Sequence, residues 1–173
     1  MSGLKAFAGK ARYGHVVIAF FIAAVIVSSA GSLVLSVEYF TVFDTANRFT
    51  PSVFALTKQN VTEDSRLISV YLRLLNTGSR PVFIFEYGVL LTLNGQFVAQ
   101  RDVYPALTID PDSNETLVVQ FTVISGYAQV IIQAEQLGQW DWDIRYPMRF
   151  TVGWLSVTAS HFRQAWSGIQ EGL

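Results

Sequence analysis

The chain has 173 residues, no cysteine, a formal net charge of −1, and a composition that is 51% hydrophobic and 14% charged. The absence of cysteine excludes disulfide bonds, cysteine–zinc sites, cysteine nucleophiles and lipid attachment to cysteine. Plentiful aromatic residues argue against intrinsic disorder, and the lack of a basic excess argues against nucleic-acid binding.

Residues 16–35 form an uncharged run that is long enough to cross a membrane as a helix. At about 1.5 Å per residue, such a helix matches a hydrocarbon core of about 30 Å. Lys5, Lys10 and Arg12 precede the run, whereas the residues after it carry more acidic than basic side chains. Because loops rich in Lys and Arg stay cytoplasmic, the sequence predicts a single-pass protein of the cell membrane. Its tail, residues 1–15, is expected to be unstructured and cytoplasmic, and its bulk extracytoplasmic.

Three fates are open for this run. It can be retained as an anchor. It can also be a cleaved signal peptide, since Ser28 and Ala30 form a small-x-small site before Gly31. A third fate is processing, because Lys10-Ala11 ahead of an apolar helix resembles the cleavage site of archaeal type IV pilins and archaellins. The polar residues 12–15 are unusual after such a site, and we favour the retained anchor.

Residues 36–50 are expected to form a spacer, and from Pro51 onward apolar and polar residues alternate as in half-buried strands. Asn94-Gly95 indicates a tight hairpin, because both residues readily take a positive φ. Gly88 within a long strand indicates a bulge. The predicted strands cover residues 51–58, 67–75, 82–93, 96–102, 116–123, 129–136 and 149–158. A long connection is predicted to end at residues 107–109, and residues 138–147 are predicted to form a loop.

The tail from residue 160 has a helical apolar period. Its apolar face would consist of Phe162, Ala165, Trp166, Ile169 and Leu173. The sequence therefore predicts a mainly β chain with an antiparallel β-sandwich of about seven strands over residues 51–173. One transmembrane helix precedes the sandwich, and a short C-terminal amphipathic helix belongs to it.

Residues 67–100 (LISVYLRLLNTGSRPVFIFEYGVLLTLNGQFVAQ) and 106–123 (ALTIDPDSNETLVVQFTV) carry a recognisable series of turns. An apolar strand ends in residues 75–81, a Leu-Asn-Gly hairpin follows at residues 93–95, and an Ile-Asp-Pro-Asp-Ser turn follows at residues 109–113. The series resembles the water-stress-and-hypersensitive-response (WHy) domain of the late-embryogenesis-abundant group. Thr77 departs from that pattern, because it stands where the group usually has proline, and Asp110 displaces the turn proline by one position.

The resemblance implies a β-sandwich with one helix and a non-enzymatic role in protection during stress. It also implies that a membrane-anchored form with a short basic N-terminus is a familiar arrangement. The group supplies no catalytic residues to carry over to this chain.

The residues themselves give little sign of catalysis or of a cofactor. His161 is the only histidine after the apolar run, and no nucleophile elbow or glycine-rich phosphate loop is present. Two clusters of acidic residues could supply oxygen ligands to calcium. One consists of Asp110, Asp112 and Glu115, and the other of Asp141 and Asp143. Turn chemistry explains them more simply, since aspartate opens turns by bonding to its own backbone. We therefore predict no enzyme, no metal and no cofactor.

Two pairs of residues are candidates for surface roles. Trp140 and Trp142 alternate, so both can face one side and contact a protein or glycan of the cell envelope; the alternative is that they cover the end of the core. Asn60 and Asn114 lie in sequons, which predicts N-glycosylation on the outer side of the membrane.

These observations support two hypotheses for function. In the first, the chain is an anchored, extracytoplasmic WHy-like module that binds or protects other molecules without catalysis. In the second, it is a pilin-like or archaellum-accessory subunit whose N-terminal helix packs in a filament core.

Overall fold

The computed structural model describes the backbone of residues 3–62, 65–124, 126–159 and 162–171, and the side chains from residue 18 to residue 170 within those ranges. These residues form two helices and eleven strands. In chain order they are α1 (Gly3–Arg48), β1 (Phe49–Thr62), β2 (Ser65–Asn76), β3 (Val82–Leu93), β4 (Gln96–Val103), β5 (Leu107–Ile109), β6 (Ser113–Ile124), α2 (Gly126–Leu137), β7 (Asp141–Arg145), β8 (Met148–Val152), β9 (Leu155–Ala159), β10 (Arg163–Ser167) and β11 (Gln170–Glu171).

The first sheet consists of three long strands and one short one, in the order β11–β1–β2–β6. β1 with β2 and β2 with β6 are antiparallel, while the short β11 pairs with β1 in parallel. The β2–β6 register runs without a shift from Ser65 opposite Ile124 to Asn76 opposite Ser113. This sheet is therefore nearly regular along its β6 side.

The second sheet is built on β3 and is more broken. One edge of β3 pairs first with β5 and then with β4, and its other edge pairs first with β8 and then with β7. β9 and β10 pair with the outer edges of β8 and β7. The seven strands thus lie in four rows, with β5 and β4 end to end on one side of β3 and β8 and β7 end to end on the other.

Alternate residues of the long strands form one apolar core, as the period-two pattern predicts. On β2 the inward residues are Ile68, Val70, Leu72 and Leu74, and on β3 they include Val82, Ile84, Val89, Leu91 and Leu93. The mainly β, antiparallel architecture and the long apolar helix before it are confirmed.

The chain divides into two compact units, Met1–Thr41 and Val42–Leu173. In the first unit, the apolar side chains of α1 from Ile18 onward are exposed, and α1 is long and apolar enough to cross a membrane. In the second unit, the last turns of α1 join the sandwich, because Val42 and Thr45 are fully buried there.

Two predictions for the N-terminal region differ from the structure. The sequence predicts an unstructured tail over residues 1–15 and a spacer over residues 36–50. In the described residues, one helix runs from Gly3 to Arg48 and β1 follows at Phe49. The acidic and polar residues 44–48 do not break the helix, since Arg48 pairs with Asp44 one turn earlier at 2.9 Å.

Four predictions for the C-terminal half are wrong. Residues 129–136 are helical in α2, where Ala128, Ile131 and Ala134 are buried at helical spacing. The predicted loop contains β7, and the predicted last strand is a hairpin of β8 and β9 that turns at Gly153, with φ of 56°. The C-terminal amphipathic helix is replaced by β10 and β11.

The hairpin at Asn94-Gly95 is confirmed, with φ values of 50° and 77°. The bulge predicted at Gly88 is displaced, because the register shifts lie between Ile84 and Glu86 and between Leu91 and Thr92. A Cβ at Gly88 would lie 2.8 Å from Oδ1 of Asp102, which is the end of an exposed side chain that can move aside.

Candidate functional site

Trp140 and Trp142 stack on each other, but they do not form a pair exposed to solvent. Their ring centroids are 6.3 Å apart with an interplanar angle of 16°. Trp142 is only 2% exposed and belongs to the core, while Trp140 is half-buried beside it. Trp142 therefore belongs to the core, as the alternative prediction for the pair has it. A contact between Trp140 and a partner stays a prediction.

A buried charge cluster lies next to Trp140 and joins the first sheet to α2. Lys58 of β1 and Arg66 of β2 are 5% and 7% exposed, and both bind the carboxylate of Glu135 on α2. The Lys58 Nζ–Glu135 Oε1 distance is 2.6 Å, and Arg66 Nε donates to the same oxygen at 3.3 Å. Lys58 Nζ also lies 5.8 Å from the centroid of a Trp140 ring.

Burial by itself would raise the pKa of Glu135, but the hydrogen bonds and charges of Lys58 and Arg66 lower that pKa below its ordinary value. The carboxylate is thus ionised at neutral pH and is committed to two cations. Such a group is a poor general acid or base, because its pKa lies far from neutral pH. We interpret the cluster as the junction that holds α2 on the sandwich.

Sequence reasoning did not find this cluster. Glu135 is 77 positions from Lys58 and 69 from Arg66, so no local spacing connects the three residues. The available signal was Lys58 at the end of one predicted strand and Glu135 near the end of another, since a buried charge needs a partner.

Other predicted residues lie on the surface or are already paired. Asn60 and Asn114 are exposed, on β1 and β6 respectively. Asp143 binds Arg163 and Arg145; burial alone would raise its pKa, but these arginines lower it. His161 lies outside the described residues. Among the residues that the structure describes, no group of three or more His, Cys, Asp or Glu side chains is placed to hold a metal ion.

A groove of about 430 Å³ lies in the second unit along the last turns of α1. Phe43, Phe49, Phe150 and Phe162 contribute to its wall, and no titratable side chain lines it within the described part of the chain. Its surface suits apolar contact rather than proton transfer.

No model of a known protein family matches this chain, and no curated protein matches it in sequence. Solved structures do match. The solution structure of AT1g01470 from Arabidopsis thaliana is similar over 71% of this chain and 82% of that chain, with a TM-score of 0.54 and 15% identity. The chain has the fold of that protein.

Two further solved structures are similar to the chain. One is the crystal structure of a protein from Archaeoglobus fulgidus, with 16% identity over 70% of this chain and all of that chain and a TM-score of 0.49. The other is the solution structure of a putative late embryogenesis abundant protein, At2g46140.1, with 15% identity over 80% of this chain and 87% of that chain and a TM-score of 0.45. The expected fold of the late-embryogenesis-abundant and WHy group is confirmed by the similarity to AT1g01470.

Proposed function

We propose that this protein is a membrane-anchored, extracytoplasmic WHy-like sandwich that binds or protects other molecules by contact and catalyses no reaction. The observation that carries the proposal is the exposed apolar surface of α1 next along the chain to a sandwich domain of this fold. A soluble helix hides such a face in a core, whereas a helix that is apolar all round suits lipid.

The direction of insertion follows from charge and from the sequons. Lys5, Lys10 and Arg12 before the apolar run favour a cytoplasmic N-terminus. Exposed Asn60 and Asn114 are accessible for glycosylation if the sandwich lies outside. Both features support the same orientation.

The absence of cysteine makes the orientation directly testable. Single-cysteine variants Ser2→Cys and Ser79→Cys can be expressed in cells and treated with a membrane-impermeant maleimide, since Ser79 is exposed. We expect labelling at position 79 in intact cells and at position 2 only after detergent. The reverse pattern would place the sandwich in the cytoplasm and refute the proposal.

Retention of the anchor needs its own measurement, the intact mass of protein extracted from membranes. A mass that matches all 173 residues supports the anchor. A mass that lacks the first 11 residues would support the filament alternative. A mass that lacks the first 30 residues, up to the bond before Gly31, would show that the protein is secreted.

The protective role is tested by heating citrate synthase to an assay temperature of 43 °C in the presence of the full-length protein in phosphatidylcholine nanodiscs. We expect less light scattering from aggregated enzyme than with empty nanodiscs. Equal scattering would contradict a protective role and would leave anchoring unaffected.

A further inference from the structure

The outer edge of β6 differs from the other sheet edges of the domain. β6 has twelve residues, and in the described part of the chain β2 is the one strand that pairs with it. Natural sheets protect such edges with short strands, bulges, proline or lysine, because exposed backbone groups pair with other chains. β6 has none of these devices: its sequence SNETLVVQFTVI contains one charge, and its register with β2 has no shift.

The remaining edges are protected. β11 covers part of β1, and the side-chain amide of Gln164 binds both backbone groups of Val53 further along β1. The β4–β5 line is interrupted around Pro105, and β9 and β10 have only five residues each. The open edge of β6 is therefore an exception within this fold.

The backbone groups that face outward on β6 can be identified. Arg101 Nη1 donates to the carbonyl oxygen of Gln120 at 2.9 Å, so Gln120 points away from β2. In an antiparallel ladder, alternate residues turn both backbone groups to the same side. The outward-facing residues are then Asn114, Thr116, Val118, Gln120, Thr122 and Ile124.

An apolar row lies beside this edge on the outer face of the sheet. Val118, 46% exposed, stands opposite Tyr71 of β2, whose ring centroid is 6.0 Å from that of Phe54 on β1. The Arg73 guanidinium lies 5.0 Å from the Phe54 ring centroid. A cleft of about 400 Å³ between β4 and β6 adjoins the edge near Gln120.

We propose that the outer edge of β6 binds an extended, apolar segment of another polypeptide as an added antiparallel strand. What the edge offers is a row of backbone donors and acceptors, which another backbone complements directly. Val118 and Ile124, which are exposed beside this edge, contact apolar side chains of that segment, and Arg73 favours a neutral or acidic segment over a basic one. Such segments become exposed when proteins unfold, so the inference rests on the proposed function and names the partner class for its contact role.

Arg101 is the competing ligand in this arrangement. Its bond to Gln120 occupies one outward acceptor, so an incoming strand has to displace it. Removing the guanidinium should therefore strengthen binding, an effect opposite to that expected of an ordinary contact residue.

The test uses full-length protein in phosphatidylcholine nanodiscs and fluorescence anisotropy of a labelled peptide, Thr-Val-Thr-Val-Glu-Val-Thr-Val-Thr-Val. The control peptide is N-methylated at two adjacent central residues, so both of its edges lose a donor while its side chains are unchanged. We expect the control to bind at least tenfold more weakly. Equal affinity for the two peptides would overturn the proposal.

Three variants locate the binding to β6. Gln120→Pro removes an outward N–H and leaves the ladder with β2 complete, so it should abolish binding. Val118→Lys should weaken binding at least fivefold, and Arg101→Ala should strengthen it. If Gln120→Pro fails to fold, the other two decide: unchanged affinity in both, with unchanged thermal unfolding, refutes the proposal. The maleimide experiment is independent, so failure here and failure of the anchored topology are distinguishable.

Discussion

The side-chain amide of Gln164 replaces a missing strand at Val53. Gln164 Nε2 donates to the Val53 carbonyl oxygen at 2.8 Å, and the Val53 N–H donates to Gln164 Oε1 at 2.9 Å. Gln164 lies on β10 of one sheet and Val53 on β1 of the other, next to a register shift between Val53 and Ala55. One side chain thus connects the two sheets and satisfies the backbone where β1 has no neighbouring strand among the described residues.

Replacing Gln164 should therefore destabilise the sandwich. Gln164→Ala leaves two partly buried backbone groups without their partners, and each such group costs about 1–3 kcal/mol. We expect the free energy of unfolding, measured by urea denaturation, to fall by about 2 kcal/mol or more. Gln100→Ala, on the exposed side of β4, is the matched control and should change it by less than about 0.5 kcal/mol. Similar values for the two variants would show that the amide bridge has no energetic role.

Stability should depend on pH through Glu135. Its pKa is lowered in the folded protein, so its contribution is complete above the unfolded-state pKa and is lost as pH falls through the folded-state pKa. Glu135→Gln should cost about 3 kcal/mol at pH 7, because Lys58 and Arg66 stay buried without the carboxylate. The difference in the free energy of unfolding between this variant and the unaltered protein should be smaller at pH 3, where Glu135 becomes protonated to a greater extent.

The control for that experiment is Glu86→Gln. Glu86 pairs with Arg149 at 3.0 Å on the surface, where Arg149 is mostly exposed, so its removal should cost less than about 1 kcal/mol. A Glu135→Gln effect as small as this, or one that stays constant down to pH 3, would contradict the role assigned to the cluster.

Gly78 should not tolerate a side chain. A Cβ at this position would lie 2.5 Å from Cγ2, 2.6 Å from Cα and 2.7 Å from Cβ of Thr45. Gly78→Ala therefore forces backbone movement and should cost about 1–3 kcal/mol in urea denaturation. Adding Thr45→Ser should not restore stability, since a serine at position 45 keeps the backbone atom that the new methyl group meets. Gly126→Ala, with open space around its Cβ, should be neutral or slightly stabilising.

The two stacked tryptophans should differ in their effect on stability. Trp142→Ala removes a buried ring and should cost about 3–5 kcal/mol, seen as a lower melting temperature. Trp142→Phe should cost much less, because the buried Nε1 has no hydrogen-bond partner among the described residues. The loss of stability in Trp140→Ala should lie between those of Trp142→Ala and Trp142→Phe, since the Trp140 ring is half-buried. A melting temperature unchanged in Trp142→Ala would return the pair to the predicted contact surface.

Local sequence was sufficient for the long strands and their tight turn. Val82–Leu93 has the predicted bounds, and Asn94-Gly95 forms the predicted hairpin. These features depend on alternation over many residues and on turn residues that tolerate positive φ, and both are properties of a short stretch of chain.

Short segments in the C-terminal half were ambiguous. In β10, Gln164 and Trp166 are half-buried and alternate with exposed neighbours, yet the residues from Phe162 to Ile169 also fit a helical period. In α2, the β-branched residues Val130, Ile131 and Ile132 favour a strand, but Glu135 reaches Lys58 and Arg66 only when the segment is helical and covers the sandwich.

The sequence by itself determined an apolar N-terminal helix, a cysteine-free β-sandwich and the turn of its main hairpin, because hydrophobic periodicity and turn chemistry act between near neighbours. Only the tertiary structure decided where the single short helix lies, which charges are buried together, and which sheet edge stays open. Those outcomes depend on pairs as distant as Val53 and Gln164, whose meeting is set by how the two sheets close on one core.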